Sequence, residues 1–365
     1  MYSPFSASLT WETIENIGVG VDWGFFKNRL TGSFDWYQRK TKDMVGPANA
    51  LSALYGASAP KTNNAELRTR GWELELAWRD KIGKDFSYGI SATLSDYKTI
   101  ITKYDSPDGN INGWYEGKNY GDLWGFRVKG IAKSDAEMFE HLATASQTAL
   151  GNKWGGGDLM YYDLNGDGKV DRGSQTLDDP GDLSVIGNST PRYAYSFTLE
   201  AQWKFIDVRA FFQGIGKRNY WFGDPGRGGS SIAFFGVVRP YHISLFYDHL
   251  DYFRYAGSEL GANLDPYYGR LRAEQANNNM HISDRYLQDA SYLRLKNLQV
   301  GLTLPRHTKL AKYVKKGRLY FSAENLLTWT KLRIFDPESL SNDTWGDGKT
   351  YPQYRTYSVG LELTF

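Results

Sequence analysis

Apolar and polar positions alternate along much of this chain. Every second residue is apolar or small in Tyr193, Tyr195, Phe197, Leu199, Ala201, Trp203 and Phe205, and Ala194, Ser196, Thr198, Glu200, Gln202 and Lys204 fall between them. The same period of two runs through Trp72, Leu74, Leu76 and Trp78 against Gly71, Glu73, Glu75 and Ala77. It recurs in Ile17, Val19, Val21, Trp23 and Phe25, and in Tyr357, Val359, Leu361, Leu363 and Phe365. Successive side chains of a strand point to opposite faces, so the pattern predicts strands with one apolar and one polar face. Nine such strands are predicted, over 12–26, 28–46, 64–80, 85–103, 192–205, 207–220, 290–305, 317–330 and 353–365.

The connections alternate as well. Tight turns are expected near Lys27-Asn28, from Lys81 to Lys84 and at Ile206, with a short basic segment from Arg306 to Lys316. Between these fall long connections over 47–63, 104–191, 221–289 and 331–352. A soluble sandwich has no reason to alternate in this way. An outer-membrane barrel does, having short turns on one side and long extracellular loops on the other. Trp23, Phe25, Trp36, Trp78, Trp203 and Trp329 are expected at or near strand ends, where interfacial girdles form. No apolar run is long enough for a membrane helix. The predicted fold is therefore all-β, a portion of an antiparallel up-and-down transmembrane β-barrel with long extracellular loops. Bacterial single-chain barrels have even strand numbers. Nine strands, and the lack of a basic or apolar leader pattern over Met1 to Gly20, lead us to expect residues 1–365 to be the C-terminal part of a longer barrel, open until completed.

Composition narrows the function. The 365 residues carry 43 Lys and Arg against 41 Asp and Glu, a net charge of +2, which does not suit a strongly basic nucleic-acid binder. Cysteine is missing, which excludes disulfide frameworks, iron–sulfur clusters, thiolate zinc sites and cysteine nucleophiles. No nucleophile–base constellation is recognisable, so no enzymatic activity is expected.

Several spaced motifs resemble the SusC/RagA family of TonB-dependent outer-membrane transporters. They are Leu9-Thr10-Trp11-Glu12, Gly20-Val21-Asp22, Asn28 to Tyr37, Lys40 to Asp43, Arg70-Gly71-Trp72-Glu73 and Asp163 to Gly168. Ala290 to Leu298, Asn325-Leu326-Leu327-Thr328, Asp336-Pro337-Glu338 and Arg355-Thr356-Tyr357 follow in the family's order. The resemblance implies a plugged 22-stranded barrel in the outer membrane of a Gram-negative bacterium. It further implies a SusD-like surface lipoprotein as lid, energy from the TonB complex, and an oligosaccharide or peptide as cargo. The plug, the TonB-contacting segment and the earlier strands would lie outside this chain. The alternative is a binding module that docks the lipoprotein without transporting on its own.

One loop has ligand spacing. Asp163, Asn165, Asp167, the Lys169 carbonyl and Asp171 match positions 1, 3, 5, 7 and 9 of a calcium loop, with Gly168 at the turn. Position 12 is Ser174, for which Asp178 or Asp179 could substitute, and the bland reading is an Asx-rich turn. Other motifs are read as decoys. Gly346 to Thr350 lacks the first glycine of a P-loop, and Trp154-Gly155-Gly156-Gly157 is read as a flexible loop. His141, His242, His249, His281 and His307 show no metal spacing, and His242 and His249 are read as solvated. Glu73 and Glu75 are read as part of a polar lumen. Ser134-Asp135-Ala136-Glu137 is a capping box, predicting a helix over 135–149. Trp114, Tyr115, Trp154, Tyr220, Trp221, Tyr267, Tyr268 and Trp345 are expected to be exposed in the loops, ready to stack on sugar rings or to meet a partner protein.

Overall fold

The structure, a computed structural model, describes residues 9–46, 54, 56, 59–106, 108–221, 247–271, 276–305, 308, 313–340 and 351–365. The fold is built on one antiparallel sheet of nine strands. In spatial and chain order these are β1 (Thr13–Phe25), β2 (Leu30–Val45), β3 (Asn63–Ile82), β4 (Phe86–Tyr104), β9 (Arg192–Trp203), β10 (Ile206–Lys217), β13 (Tyr292–Thr303), β14 (Lys316–Thr330) and β15 (Thr356–Thr364). Each strand pairs with its sequence neighbour in this series, so the topology is a meander, as the alternating connections predict. Among the described residues, no helix is long and apolar enough to cross a membrane, which says nothing about crossing by strands.

Register joins like to like across the whole sheet. One rung runs Phe25, Leu30, Trp78, Ile90, Leu199, Ala210, Leu298, Ala323 and Tyr357 through successive pairings. Another links Leu361, Leu319, Leu302, Ile206, Trp203 and Phe86. The opposite parity joins Asp22, Ser33, Glu75, Thr93 and Ser196, and Arg79, Gly89, Glu200, Arg209 and Gln299. Directly opposed side chains share a face, so the sheet has one apolar and one polar side. Glu73 and Glu75 lie on the polar side, as expected.

Three tyrosines lie across glycines of the neighbouring strand. Tyr37 opposes Gly71, where a Cβ would stand 2.5 Å from the ring, and Tyr195 lies on Gly214 in the same way. Tyr320 covers Gly360 more closely still. Only a bare backbone admits the ring, which explains why glycine interrupts otherwise favourable strand sequences.

The boundaries depart from expectation in identifiable places. The first turn spans Phe26, Lys27 and Asn28, all with positive φ (55°, 59° and 62°). The sixth barrel strand stops at Lys217. Asn219–Tyr220 form a separate strand, β11, which pairs with β12 (Gln288–Asp289) and carries the chain away from the main sheet. Trp36 falls mid-strand, because β2 and β3 run well beyond the apolar rungs, so it is not an end-of-strand residue as expected. The basic connection over 306–316 is described only in part.

Within the connection from β4 to β9 lie β5 (Asp122–Gly125), β6 (Val128–Ile131), α1 (Asp135–Thr144), β7 (Leu159–Tyr161) and β8 (Ser184–Asn188). Strands β5 and β8 pair, as do β6 and β7. The Ser134 hydroxyl accepts from the Glu137 amide at 3.2 Å, and the Glu137 carboxylate accepts from the Lys133 amide at 2.7 Å. This caps α1 as the motif predicts. The helix ends at Thr144 instead of reaching 149. The Ala145 amide donates to the His141 carbonyl, and the next residues turn into the core, where Gln147 is fully buried.

Candidate functional site

The long connections are not independent loops. Those from β4 to β9, from β10 to β13 and from β14 to β15 fold together into a module with its own hydrophobic core. Ile111, Phe126, Met138, Leu159, Tyr161 and Val170 of the first connection are almost wholly buried in it. Tyr220, Trp221, Tyr268 and Tyr286 of the second and Leu332 of the third join the same cluster.

This corrects the expected exposure of the loop aromatics. Tyr115, Trp154, Tyr220, Trp221 and Tyr268 are buried, and Trp114 and Tyr267 are half-buried, while Trp345 lies outside the described residues. The reason is packing. Tyr267, Tyr268 and Tyr286 meet with ring centroids 4.8 to 5.9 Å apart, and Trp154 stands edge-on to Tyr161. Such rings fill a core rather than offering flat faces to cargo.

Buried polar groups stitch the module. Asp158 is fully buried. Its carboxylate accepts from Arg270 at 2.9 and 3.1 Å, from the Asn279 amide group at 3.0 Å and from the Gly155 backbone at 3.0 Å. The Gln147 carbonyl oxygen accepts from the Tyr161 amide at 2.6 Å, and its amide group donates to the Leu159 carbonyl at 3.1 Å. The Trp154-Gly155-Gly156-Gly157 turn, read from sequence as flexible, is buried throughout. Gly157 has φ 85°, and a Cβ there would strike Phe253, so the turn admits no side chain.

The described histidines belong to this core. His249 is buried rather than solvated, and His242 and His307 lie outside the described residues. His281 accepts from Arg172 at Nδ1 (2.9 Å) and so donates from Nε2 to the Leu150 carbonyl (2.8 Å). Burial, with the Arg172 charge beside it, lowers its pKa to about 4.

The third connection is clamped onto the sheet and onto the second connection. Arg294 on β13 is 2 % exposed and donates from Nη2 to Asp336 at 2.7 Å. Glu338 lies 3.5 Å from Arg294 Nη1 and accepts from Lys296 at 2.9 Å. Arg333 donates to both oxygens of Asp248 and lies 4.0 Å over the Tyr267 ring. Sequence reasoning singled out Ala290 to Leu298 and Asp336-Pro337-Glu338 separately. The complementary charges of Arg294, Lys296, Asp336 and Glu338 were the signal that the two segments meet.

The Asp163 loop lies in the first connection, between β4 and β9 as expected. Its side chains are turned to the backbone. Asp163 accepts from the amides of Gly166 (2.7 Å) and Gly168 (2.8 Å), Asn165 from Asp167, Asp167 from Lys169, and Asp171 from Gly173. Buried Asp182 ties the loop's two ends, accepting from Leu164 at 2.6 Å and Asp171 at 2.8 Å. Burial raises its pKa despite these bonds. Gly166 and Gly168 carry the positive φ (77° and 82°) that the winding needs. Asp179 accepts from the Ser174 amide and hydroxyl, which brings a carboxylate beside position 12. Among the described residues, no three His, Asp or Glu side chains are gathered as a metal cluster. Each carboxylate oxygen nevertheless keeps acceptor capacity beyond the amide it holds. The P-loop-like Gly346 to Thr350 segment lies outside the described residues.

The sheet, the segregated faces and the loop module place the chain among receptor barrels. Residues 1–215 match the family described as TonB dependent receptor-like, beta-barrel, and the chain belongs to that family. It is 29% identical to TonB-dependent receptor P3 of Formosa agariphila, over 98% of this chain and 34% of that protein. TonB-dependent receptor SusC of Bacteroides thetaiotaomicron is 24% identical over 99% of this chain and 33% of its own length. A solved structure of the RagAB peptide transporter superposes with a TM-score of 0.67 at 24% identity, covering 97% of this chain and 36% of that one. This chain thus spans about a third of the length of these relatives. All of them are receptors or transporters, and none is an enzyme.

Proposed function

We propose that this chain forms part of the wall and the extracellular loop module of a TonB-dependent importer in the outer membrane of a Gram-negative bacterium. The observation that carries this reading is the two-faced register of the nine-stranded sheet. An apolar band on one side and charged rungs on the other suit a wall between lipid and a wet lumen. The cargo is an oligosaccharide or a peptide, and a SusD-like lipoprotein closes over the loop module. TonB engages the protein outside residues 1–365. SusC and the RagAB peptide transporter support this combination by likeness.

Uptake of labelled oligosaccharides and peptides by cells carrying the full-length protein tests the reading. Uptake is expected to stop when TonB is inactivated. Uptake independent of TonB would overturn it. A cargo titration with and without the lipoprotein separates an importer from a module that only docks its partner.

We also propose that Asp163, Asn165, Asp167, the Lys169 carbonyl and Asp171 hold a calcium ion in a structural role. The ligand spacing and the two positive-φ glycines support this, and the ion would supply charge neutralisation to an acidic loop.

A further inference from the structure

The four connections β1–β2, β3–β4, β9–β10 and β13–β14 share one end of the sheet, and each carries a lysine next to apolar residues. Lys27 follows Phe26, Lys84 follows Ile82 and Gly83, Lys204 sits between Trp203 and Phe205, and Lys315 follows Tyr313 and Val314. All four lysines are exposed. Phe26 is 67% exposed and stands edge-on to Trp78, a residue of the apolar face. Lys204 Nζ lies 5.5 Å over the Trp203 ring, which belongs to an apolar rung.

The carboxylates at this end are mostly taken. Asp80 pairs with Arg29 at 3.1 Å, Asp207 with Arg318 at 2.5 Å and Glu362 with Lys316 at 3.6 Å. Among the described residues, Lys27, Lys84, Lys204 and Lys315 have no such partner, and Asp85 is the one turn carboxylate at this rim outside an ion pair. Four exposed ammonium groups therefore ring the apolar band against one free carboxylate. Turns that served solubility alone would carry both signs. A single sign beside exposed aromatic rings matches a membrane interface bearing the opposite charge.

We propose that this rim binds the headgroups of anionic phospholipids in the leaflet it meets, the lysines pairing with phosphates while Phe26 and Trp203 sit at the boundary between headgroups and acyl chains. The inference rests on the barrel reading above. Its probe is phosphatidylglycerol. The full-length protein would be placed in nanodiscs of phosphatidylcholine alone and of phosphatidylcholine with a minor share of phosphatidylglycerol, and the retained lipid counted by native mass spectrometry.

We expect phosphatidylglycerol to be enriched around the wild-type protein. A lysine near a charged surface is worth about 1 kcal/mol, so each of Lys27→Gln, Lys84→Gln, Lys204→Gln and Lys315→Gln should lower the enrichment by up to about fivefold. The quadruple variant should retain the two lipids equally. Lys204→Arg should keep the preference, and raised salt should weaken it in the wild type. Lys133→Gln, an exposed lysine of the loop module, should change nothing. No enrichment in the wild type, or enrichment that survives in the quadruple variant, would overturn the proposal. Failure to enter either nanodisc would overturn the barrel reading itself.

Discussion

Arg294 and Asp336 are 42 residues apart in sequence and 2.7 Å apart in space, both nearly removed from solvent. Asp336 also accepts from the backbone amides of Glu338 and Gln353. One carboxylate thus neutralises a buried guanidinium and shapes the turn of the third connection. Breaking such a pair leaves a charge buried without its partner.

Asp336→Ala is expected to cost about 3–5 kcal/mol of local stability. Amide exchange across 332–340 should accelerate by at least about a hundredfold, while β13 remains protected. The double change Arg294→Met with Asp336→Asn should recover much of the loss, because neither charge is then stranded. Burial pushes the Asp336 carboxyl up, but the Glu338 amide and Arg294 hold it below the ordinary carboxylate value. Its contribution is therefore present above that value and lost as pH falls through the lower folded one. Exchange that is unchanged in Asp336→Ala would refute the clamp.

His281 gives a second, milder acid response. Its folded pKa of about 4 lies below the ordinary 6.5, so the unfolded chain takes up the proton first. Its support is complete above pH 6.5 and falls away toward pH 4. The full difference is on the order of 3 kcal/mol. His281→Gln should flatten loop-module stability over this window, measured by exchange at Leu150 and Tyr161. An unaltered pH slope in that variant would show that other groups titrate there.

Side-chain parity can be tested on adjacent residues. Leu76 and Glu75 are both exposed on β3 but face opposite ways. A lipid-facing arginine near the bilayer midplane costs about 2–4 kcal/mol, while one in a wet lumen costs little. Leu76→Arg should impair folding of the full-length barrel into bilayers much more than Glu75→Arg, read as the shift from unfolded to folded electrophoretic mobility. Equal impairment would mean that the faces do not divide lipid from water.

Calcium at millimolar concentration should raise the unfolding temperature of the loop module, and Asp167→Ala should abolish the rise. Asp171→Ala should weaken it. If calcium has no effect, the loop is only the amide-bonded turn.

The nine barrel strands were legible because each presents one apolar and one polar face, and that constraint writes a period of two into residues such as Leu74, Leu76 and Trp78. The loop module writes no period. Its β7 is only three residues long, and its chain path is held by Asp158 bonding to the side chains of Arg270 and Asn279, and by Gln147 and Asp182 bonding to the backbone, all from distant positions. Aromatics scattered through polar loop sequence therefore looked exposed although Trp154, Tyr220 and Trp221 are core residues. Ser134 and Glu137 signalled the start of α1 because a cap is a local device. Its end depends on the long-range burial of Gln147, which leaves no local mark. Asp163 to Asp171 were readable as an acidic turn, but not the anchoring of that turn by Asp182, which stands outside the motif.

The shared loop core also bears on how the protein is assembled. Val128 is bonded to Asp284 across 156 residues of chain, and Arg333 to Asp248 across 85. These closures carry a large entropic cost until their ends are already near one another. In the barrel proposed above, the core can therefore condense only after all three connections have emerged on the same side of the bilayer. Thereafter it acts as a stopper on the thread: for β4, β9, β10, β13 or β14 to slip back, a folded body stapled by Asp158 and Arg294 would first have to come apart. In that proposed barrel, insertion of the wall is thus made directional by the connections that lie beyond its strands.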